Sequence, residues 1–342
     1  MDWRERWALA DHNLVYAGIF LLFILLQLLL GWYWSREPAP FAVGAVAGTA
    51  DAKSSRPGVV LAQTLSRVSA TLLDKPGGYL RNDVLPPGLL MDNMPAWELG
   101  VLRQVRDMSR SLHRDLGLSH AQFIEDHDLA EAETDFNAKS DSWAFPAAET
   151  ELRRGTEALD RYGKRLQQGR EDAQFYARRE YLLRWLGDVD GHLGQLSSRL
   201  NAALPDHPAV MRPLPGEPLL PHAEETSWWE VDDVFYEARG SAWALMHLLK
   251  AVEIDFAPEL ERQQAQLSLR AAIHELEATQ QAVWSPVILN GSGFGLFANH
   301  SLVMANYLSR ARTDLADVRA LLRDADQAVR PPFVSTSPAN AL

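Results

Sequence analysis

The chain has 342 residues, 47% of them hydrophobic and 23% charged, with a formal net charge of −12 and no cysteine. Such proportions are ordinary globular usage, which excludes both a disordered chain and a polytopic transporter. The missing thiol excludes zinc–thiolate sites, disulfide frameworks and cysteine nucleophiles, and the acidic balance, with no basic stripe against it, excludes nucleic acid as a partner.

The first predicted element is an anchor. Leu14 to Trp34 reads LVYAGIFLLFILLQLLLGWYW, 21 residues without a charge. A helix of that length rises about 31 Å, against a bilayer hydrocarbon core of about 30 Å. Trp32, Tyr33 and Trp34 stand where an aromatic belt belongs. A cleaved signal peptide would carry a shorter apolar run with small residues directly after it. Here bulky aromatics follow, and Ala45-Val46-Ala47 comes more than ten residues later. The expectation is an uncleaved, single-pass helix that contacts the lipid bilayer through residues 14–34. Arg4 and Arg6 before it nearly balance Arg36 and Lys53 after it. The expected placement is a bacterial inner membrane, with the short tail 1–13 in the cytoplasm and the main domain in the periplasm.

Residues 35–57 are rich in Pro, Gly and Ala and aperiodic, so they are read as a flexible tether. From residue 58 helical periodicity takes over. Leu61, Leu65, Val68 and Leu72 share one face, and Pro76-Gly77-Gly78 stops that helix. Leu102, Val105, Leu112 and Leu116 mark the next, then a capping box at Ser119–Gln122, a helix through Leu152 and Leu166, and a long one from Leu182 to Leu200. Residues 204–226 hold six prolines and divide a helical half at 58–203 from another at 227–325. The second half opens on a capping box at Ser227–Glu230, with helices expected to about Val252, over 258–284 and over 298–324. Residues 326–342 read as a disordered tail. The fold class is therefore all-α: one transmembrane helix plus a bundle of about seven or eight helices.

No motif of easily read catalysis occurs. Every histidine lacks an acidic residue three positions earlier, so the Glu-x-x-His pairs of di-iron bundles are absent. His274-Glu275 is not followed by the second histidine of a metalloprotease helix, and no Gly-x-Ser-x-Gly, Ser-x-x-Lys or Walker A sequence is present. No metal and no cofactor is expected.

Three segments stand out. In the helix after Ser227, Val231, Phe235, Ala238, Ala242, Leu245 and Leu249 form a core stripe. The opposite face gathers Trp229, Asp232, Asp233, Tyr236, Gly240, Trp243 and His247, and a solvated face would not carry two tryptophans. The helix is read as covered on both sides. The strip is also the candidate surface for a cationic or sugar-like ligand or a partner helix. The second segment is the loop Asn290, Gly291, Gly293 and Gly295 before His300, an inter-helix turn whose free N–H groups are a candidate anion site. The third, Glu125 to Asp135, lacks EF-hand spacing and reads as a solvated acidic face.

The anchor, the stretch NDVLPPGLLMDNMPAWELGVL (82–102) and the helix WWEVDDVFYEARGSAWALMHLLKA (228–251) resemble a bacterial family of single-pass membrane proteins with a helical domain of unknown function. The resemblance implies a cell-envelope setting and supplies no catalytic residue. The function expected is a membrane-anchored module that binds or scaffolds an envelope protein or a ligand. The alternative is an enzyme on a peptidoglycan or lipid-linked substrate, using Asp232, Asp233 and His247 as acid–base groups.

Overall fold

The computed structural model describes residues 3–46, 56–117, 125–202, 231–281 and 300–329. Among them every regular element is helical and no strand occurs. Helix α1 (Trp3–Trp34) contains the apolar segment Leu14–Trp34, of mean hydropathy 2.5. Its apolar side chains stay exposed around the helix, a pattern that suits a nonpolar surround. Short α2 (Val43–Val46) leads to α3 (Val59–Asp74), α4 (Asn93–Ser111), α5 (His127–Phe136), α6 (Ala148–Gln168) and α7 (Arg179–Ala202). Then come α8 (Val231–Asp255), α9 (Ala257–Arg262), α10 (Gln266–Ala278) and α11 (His300–Val329).

Two predicted helices differ in detail. The pattern through Leu116 is not one helix: α4 gives way to a wide π turn at Leu112–Leu116, closed by the Gly117 N–H on the Leu112 carbonyl at 2.7 Å. The helix expected over 258–284 is broken into α9 and α10, with Gln264 in the left-handed region at φ 54°. Both capping boxes, the proline-rich 204–226 segment and residues 330–342 lie outside the described residues.

The expected halves share one core. A single apolar cluster runs from Val43 to Leu322, and α8 packs on α3, α4, α7, α10 and α11. Its crossing with α4 sets the spacing of the whole bundle. A Cβ on Gly100 would stand 2.0 Å from the Glu237 carbonyl oxygen, and one on Gly240 would stand 2.0 Å from that of Trp97. Only glycine lets two backbones approach this closely. Ser241 Oγ then donates to the Gly100 carbonyl at 3.1 Å, and the Trp97 and Trp243 rings meet beside the crossing at 5.3 Å.

Buried charges fix the chain at both ends of this pair. Asp255, closing α8, accepts the Leu61 N–H at 2.7 Å and so caps α3, where Gly58 offers no side chain. Burial pushes its carboxyl up to about 7. At the other end Glu98 of α4 takes the Leu80 and Arg81 N–H groups at 2.9 and 2.8 Å, and pairs with the Lys75 ammonium at 2.6 Å. That pins the turn after α3, in which Gly77 and Gly78 adopt positive φ.

The tether reading of 35–57 fails over residues 36–46. Ser35 ends α1 with its hydroxyl on the Gly31 carbonyl, and Pro38 and Pro40 hold the next residues extended. The strap so formed lies along α8. Glu37 meets the Arg239 guanidinium at 2.7 and 2.8 Å, Phe41 stacks on His247 at 4.0 Å, and Val43 enters the core. Arg239 also donates to the Thr279 and Gln281 carbonyls past the end of α10. Trp34 packs over Gly77, leaving no room for a Cβ there. Composition suggested flexibility because the small residues outnumber the two that grip.

Gly240→Ala tests the crossing against Gly191→Ala in α7, where nothing lies within 4 Å of an added Cβ. Denaturation of the full-length protein in detergent should show Gly191→Ala stabilised by up to about 1 kcal/mol through helix propensity. Gly240→Ala should lose about 1–3 kcal/mol or more, because a backbone carbonyl cannot move aside as a side chain can. Equal and favourable shifts would show that the crossing is not tight.

Candidate functional site

The acidic-aromatic strip of α8 divides along its length. Its C-terminal part is core: Trp243 is 1% exposed and His247 is fully buried. His247 Nδ1 donates to the Trp243 carbonyl at 2.6 Å, and Nε2 accepts the Phe41 N–H at 3.1 Å. Both nitrogens are thereby engaged, and the neutral tautomer is defined by its partners. Burial drives the ring's pKa down to about 4. Its role is to hold the strap.

The N-terminal part is accessible. Asp232, Asp233 and Tyr236 are half-buried at the end of α8 nearest the strap's entry, while Trp229 lies outside the described residues. The fifteen positions from Asp232 to His247 correspond to roughly 22 Å along the helix axis. The three groups of the catalytic alternative are therefore not brought together. Burial and the neighbouring Asp92 raise the Asp232 carboxyl above its ordinary value. Burial first, then Glu37, raises the Tyr236 phenol, with Asp232 and Asp92 adding to it. These groups thus form one acidic neighbourhood beside Glu37 of the strap.

There an open cleft of about 460 Å³ runs between the starts of α4 and α8. Pro95, Ala96, Leu99 and Val234 give it an apolar floor, and Arg81, Arg199, Asp92, Asp233 and Glu237 its charged lining. Glu237 is held by Arg103 at 2.8 Å and Arg199 at 2.7 Å. Asp92 is the N-cap of α4, its carboxylate on the Asn93 N–H. Sequence reading found the α8 carboxylates but missed Arg81, Asp92 and Glu237. Arg81 and Asp92 come from other elements, and Glu237 lies on α8 between the two faces read from the sequence. The run MDNMPAW, a capping residue before a helix start, was the available signal for Asp92.

Of the second candidate set, Asn290, Gly291, Gly293 and Gly295 lie outside the described residues. His300 opens α11 with its ring 6.3 Å from Phe235, and burial lowers its pKa. The start of α11 therefore adjoins the start of α8.

The acidic run 125–135 is not a solvated face. Asp126, Asp128, Glu133 and Asp135 are buried, because arginines of neighbouring helices cover them. Arg165 bonds Asp126 and Asp128 at 2.7 Å, Arg161 bonds Asp128 at 2.8 Å, and Glu133 takes His113 and Arg114 at 2.6 and 2.8 Å. The run is an ion-pair seam joining α5 to α6 and the end of α4. No group of three or more His, Asp or Glu side chains disposed to hold a metal occurs among the described residues.

A family model described as an uncharacterized protein conserved in bacteria (DUF2333) matches residues 7–325. No curated protein and no solved structure matches the chain.

The state of His247 has a pH signature. Its pKa in the fold, about 4, lies below the ordinary 6.5, so its contribution is present above pH 6.5 and lost as pH falls towards 4. Asp255, raised to about 7, has the opposite sign: its contribution is full below 3.8 and lost as pH rises to 7. Comparing variant with parent cancels Asp255. In His247→Gln the loss of stability between pH 6.5 and 4 should be smaller than in the parent by on the order of 3 kcal/mol. Parallel pH profiles would show that this histidine is not held neutral by the fold.

Proposed function

The chain belongs to the DUF2333 family of bacterial proteins, and we propose that it is a membrane-anchored binding module that presents its α4/α8 cleft at the surface of the bilayer. The observation that carries this reading is the strap. Glu37 on Arg239 and Phe41 on His247 begin within a few residues of the end of the apolar segment Leu14–Trp34. A signal peptide cut at the nearest small-residue site, Ala45-Val46-Ala47, would strip the bundle of contacts that its central helix makes, so the strap favours an uncleaved span. It also sets the cleft at one height above the membrane instead of on a loose leash. The arrangement proposed for a bacterial envelope is the bundle in the periplasm and the short tail inside.

The cleft's apolar floor suits a protein segment carrying apolar side chains. Its mixed rim, which sets Asp92, Asp233 and Glu237 against Arg81 and Arg199, suits one that also carries a basic side chain. Charge of that sign adds selectivity and association rate more than affinity. Asp92 and Asp233 are the residues assigned to a basic partner, and Leu99 to its apolar contact.

Two measurements test the reading. A fusion of alkaline phosphatase after Leu342 should be active, and the chain should pellet with membranes at full length. A shortened, soluble chain would contradict the anchor. A photo-crosslinking residue at Leu99 should capture a discrete partner in living cells, and Asp233→Arg should reduce that product by at least about tenfold, as expected for the loss of a well-placed interfacial charge. A crosslinking pattern unaffected by Asp233→Arg, or one equal to that from an exposed position on α10, would remove the cleft from the function.

A further inference from the structure

Eight large hydrophobic side chains are exposed outside α1 among the described residues, and six of them fall in two loops. Val84, Leu85, Leu89 and Leu90 project from the stretch between α3 and α4, and Trp143 and Phe145 from the stretch between α5 and α6. The two loops are tied into one platform. The Asn82 amide donates to the Ser142 carbonyl at 2.9 Å and to Glu149 at 2.7 Å, and the Tyr79 hydroxyl donates to the Ser140 carbonyl at 2.9 Å. Exposure here does not reflect a lack of order, since the loop bases are pinned by these bonds and by Glu98 on Leu80 and Arg81.

The position of the first loop identifies what covers it. Pro87, at its tip, lies against α1: a Cβ on Gly31 would stand 3.7 Å from the Pro87 Cβ. Gly31 is inside the apolar segment Leu14–Trp34, about one turn from its end and level with the aromatic belt. A loop that touches the span at that depth, with four bare aliphatic side chains around the contact, meets lipid wherever the span does. Asp83 and Asp92 flank the apolar run on either side and would stay at headgroup level, limiting the depth. The net charge of −12 gives no attraction to an anionic surface, so the attachment is apolar.

We propose that the 84–90 loop, with Trp143 and Phe145 beside it, inserts shallowly into the same bilayer leaflet that α1 leaves, giving the bundle a second hold on the membrane. This rests on the reading of Leu14–Trp34 as a span. Through α4, which begins directly after the loop, it would also set the orientation of the α4/α8 cleft towards the membrane plane.

The absence of cysteine makes the test direct. Full-length Leu89→Cys, Leu22→Cys and Leu267→Cys proteins are each labelled with an environment-sensitive fluorophore and reconstituted in phosphatidylcholine vesicles. Leu267, 77% exposed on α10, is the water control, and Leu22 is the span control. A nitroxide on the lipid acyl chain near the headgroup should quench the Leu89 label at least twofold more than the Leu267 label, and aqueous iodide should do the reverse. A Leu89 label that behaves like Leu267, while Leu22 is quenched by lipid, overturns the insertion and leaves the span intact. A Leu89 label shielded from both quenchers would put protein, not lipid, over the loop and equally overturns it. A Leu22 label open to iodide would overturn the span reading and the insertion together.

Discussion

Helices α4 and α8 meet backbone to backbone at Gly100 and Gly240, each glycine seated against a carbonyl of the other helix. Most of the remaining structure is hung on that contact. Because the two axes are so close, Trp97 and Trp243 must lie beside the crossing instead of in it, and they leave an aromatic shelf on which Phe41 packs. The shelf and Arg239 are what the strap grips. The strap in turn fixes how α1 leaves the bundle. A change of one carbon atom at Gly240 is therefore expected to be felt at the α1 end of the molecule as well as in the core.

The buried charges follow from the same arrangement. Lys75, Glu98 and Arg239 sit where a non-helical segment must be held against α4 or α8, and Asp255 sits where α3 begins without a capping side chain. Their hydrogen bonds go largely to backbone groups of turns and helix ends, which would otherwise be left unsatisfied in the interior. Such pairs add little net stability against an apolar replacement, but they select one register among several that apolar packing alone would allow. The α5/α6 seam differs. There arginines neutralise a dense acidic helix at its edge, which joins a peripheral hairpin to the bundle without adding to its apolar core.

Much of the fold was legible because periodicity reports helices directly: the leucine steps from Leu182 to Leu200 and from Leu61 to Leu72 lie on the buried faces of α7 and α3. The shielding of Trp243 was legible too, since two tryptophans on a polar face need a cover. What covers it was not. Phe41 sits among Pro, Ala and Gly, and no local pattern says that it stacks on a histidine more than two hundred residues later. The acidic run 125–135 misled for a related reason. Its arginine partners lie in other helices, so the sequence displays the charges without their neutralisation. The cleft was half visible: Asp233 belongs to the strip read from α8, whereas Arg81, Asp92 and Leu99 reach it only because α3 and α4 turn back beside α8.

A rigid junction between α1 and the bundle is the central claim, and a distance distribution measures it most directly. Nitroxide labels at Leu28 of α1 and Leu267 of α10, both exposed, can be placed as the two cysteines of an otherwise cysteine-free full-length chain in lipid nanodiscs. Pulsed electron resonance should give a single narrow distance distribution, and it should broaden when Phe41→Ala and Glu37→Ala are combined. A flexible segment over residues 35–57 would instead allow end-to-end excursions of about 26 Å, the size for a loose chain of that length. A broad distribution of that order in the unaltered strap would contradict the rigid junction.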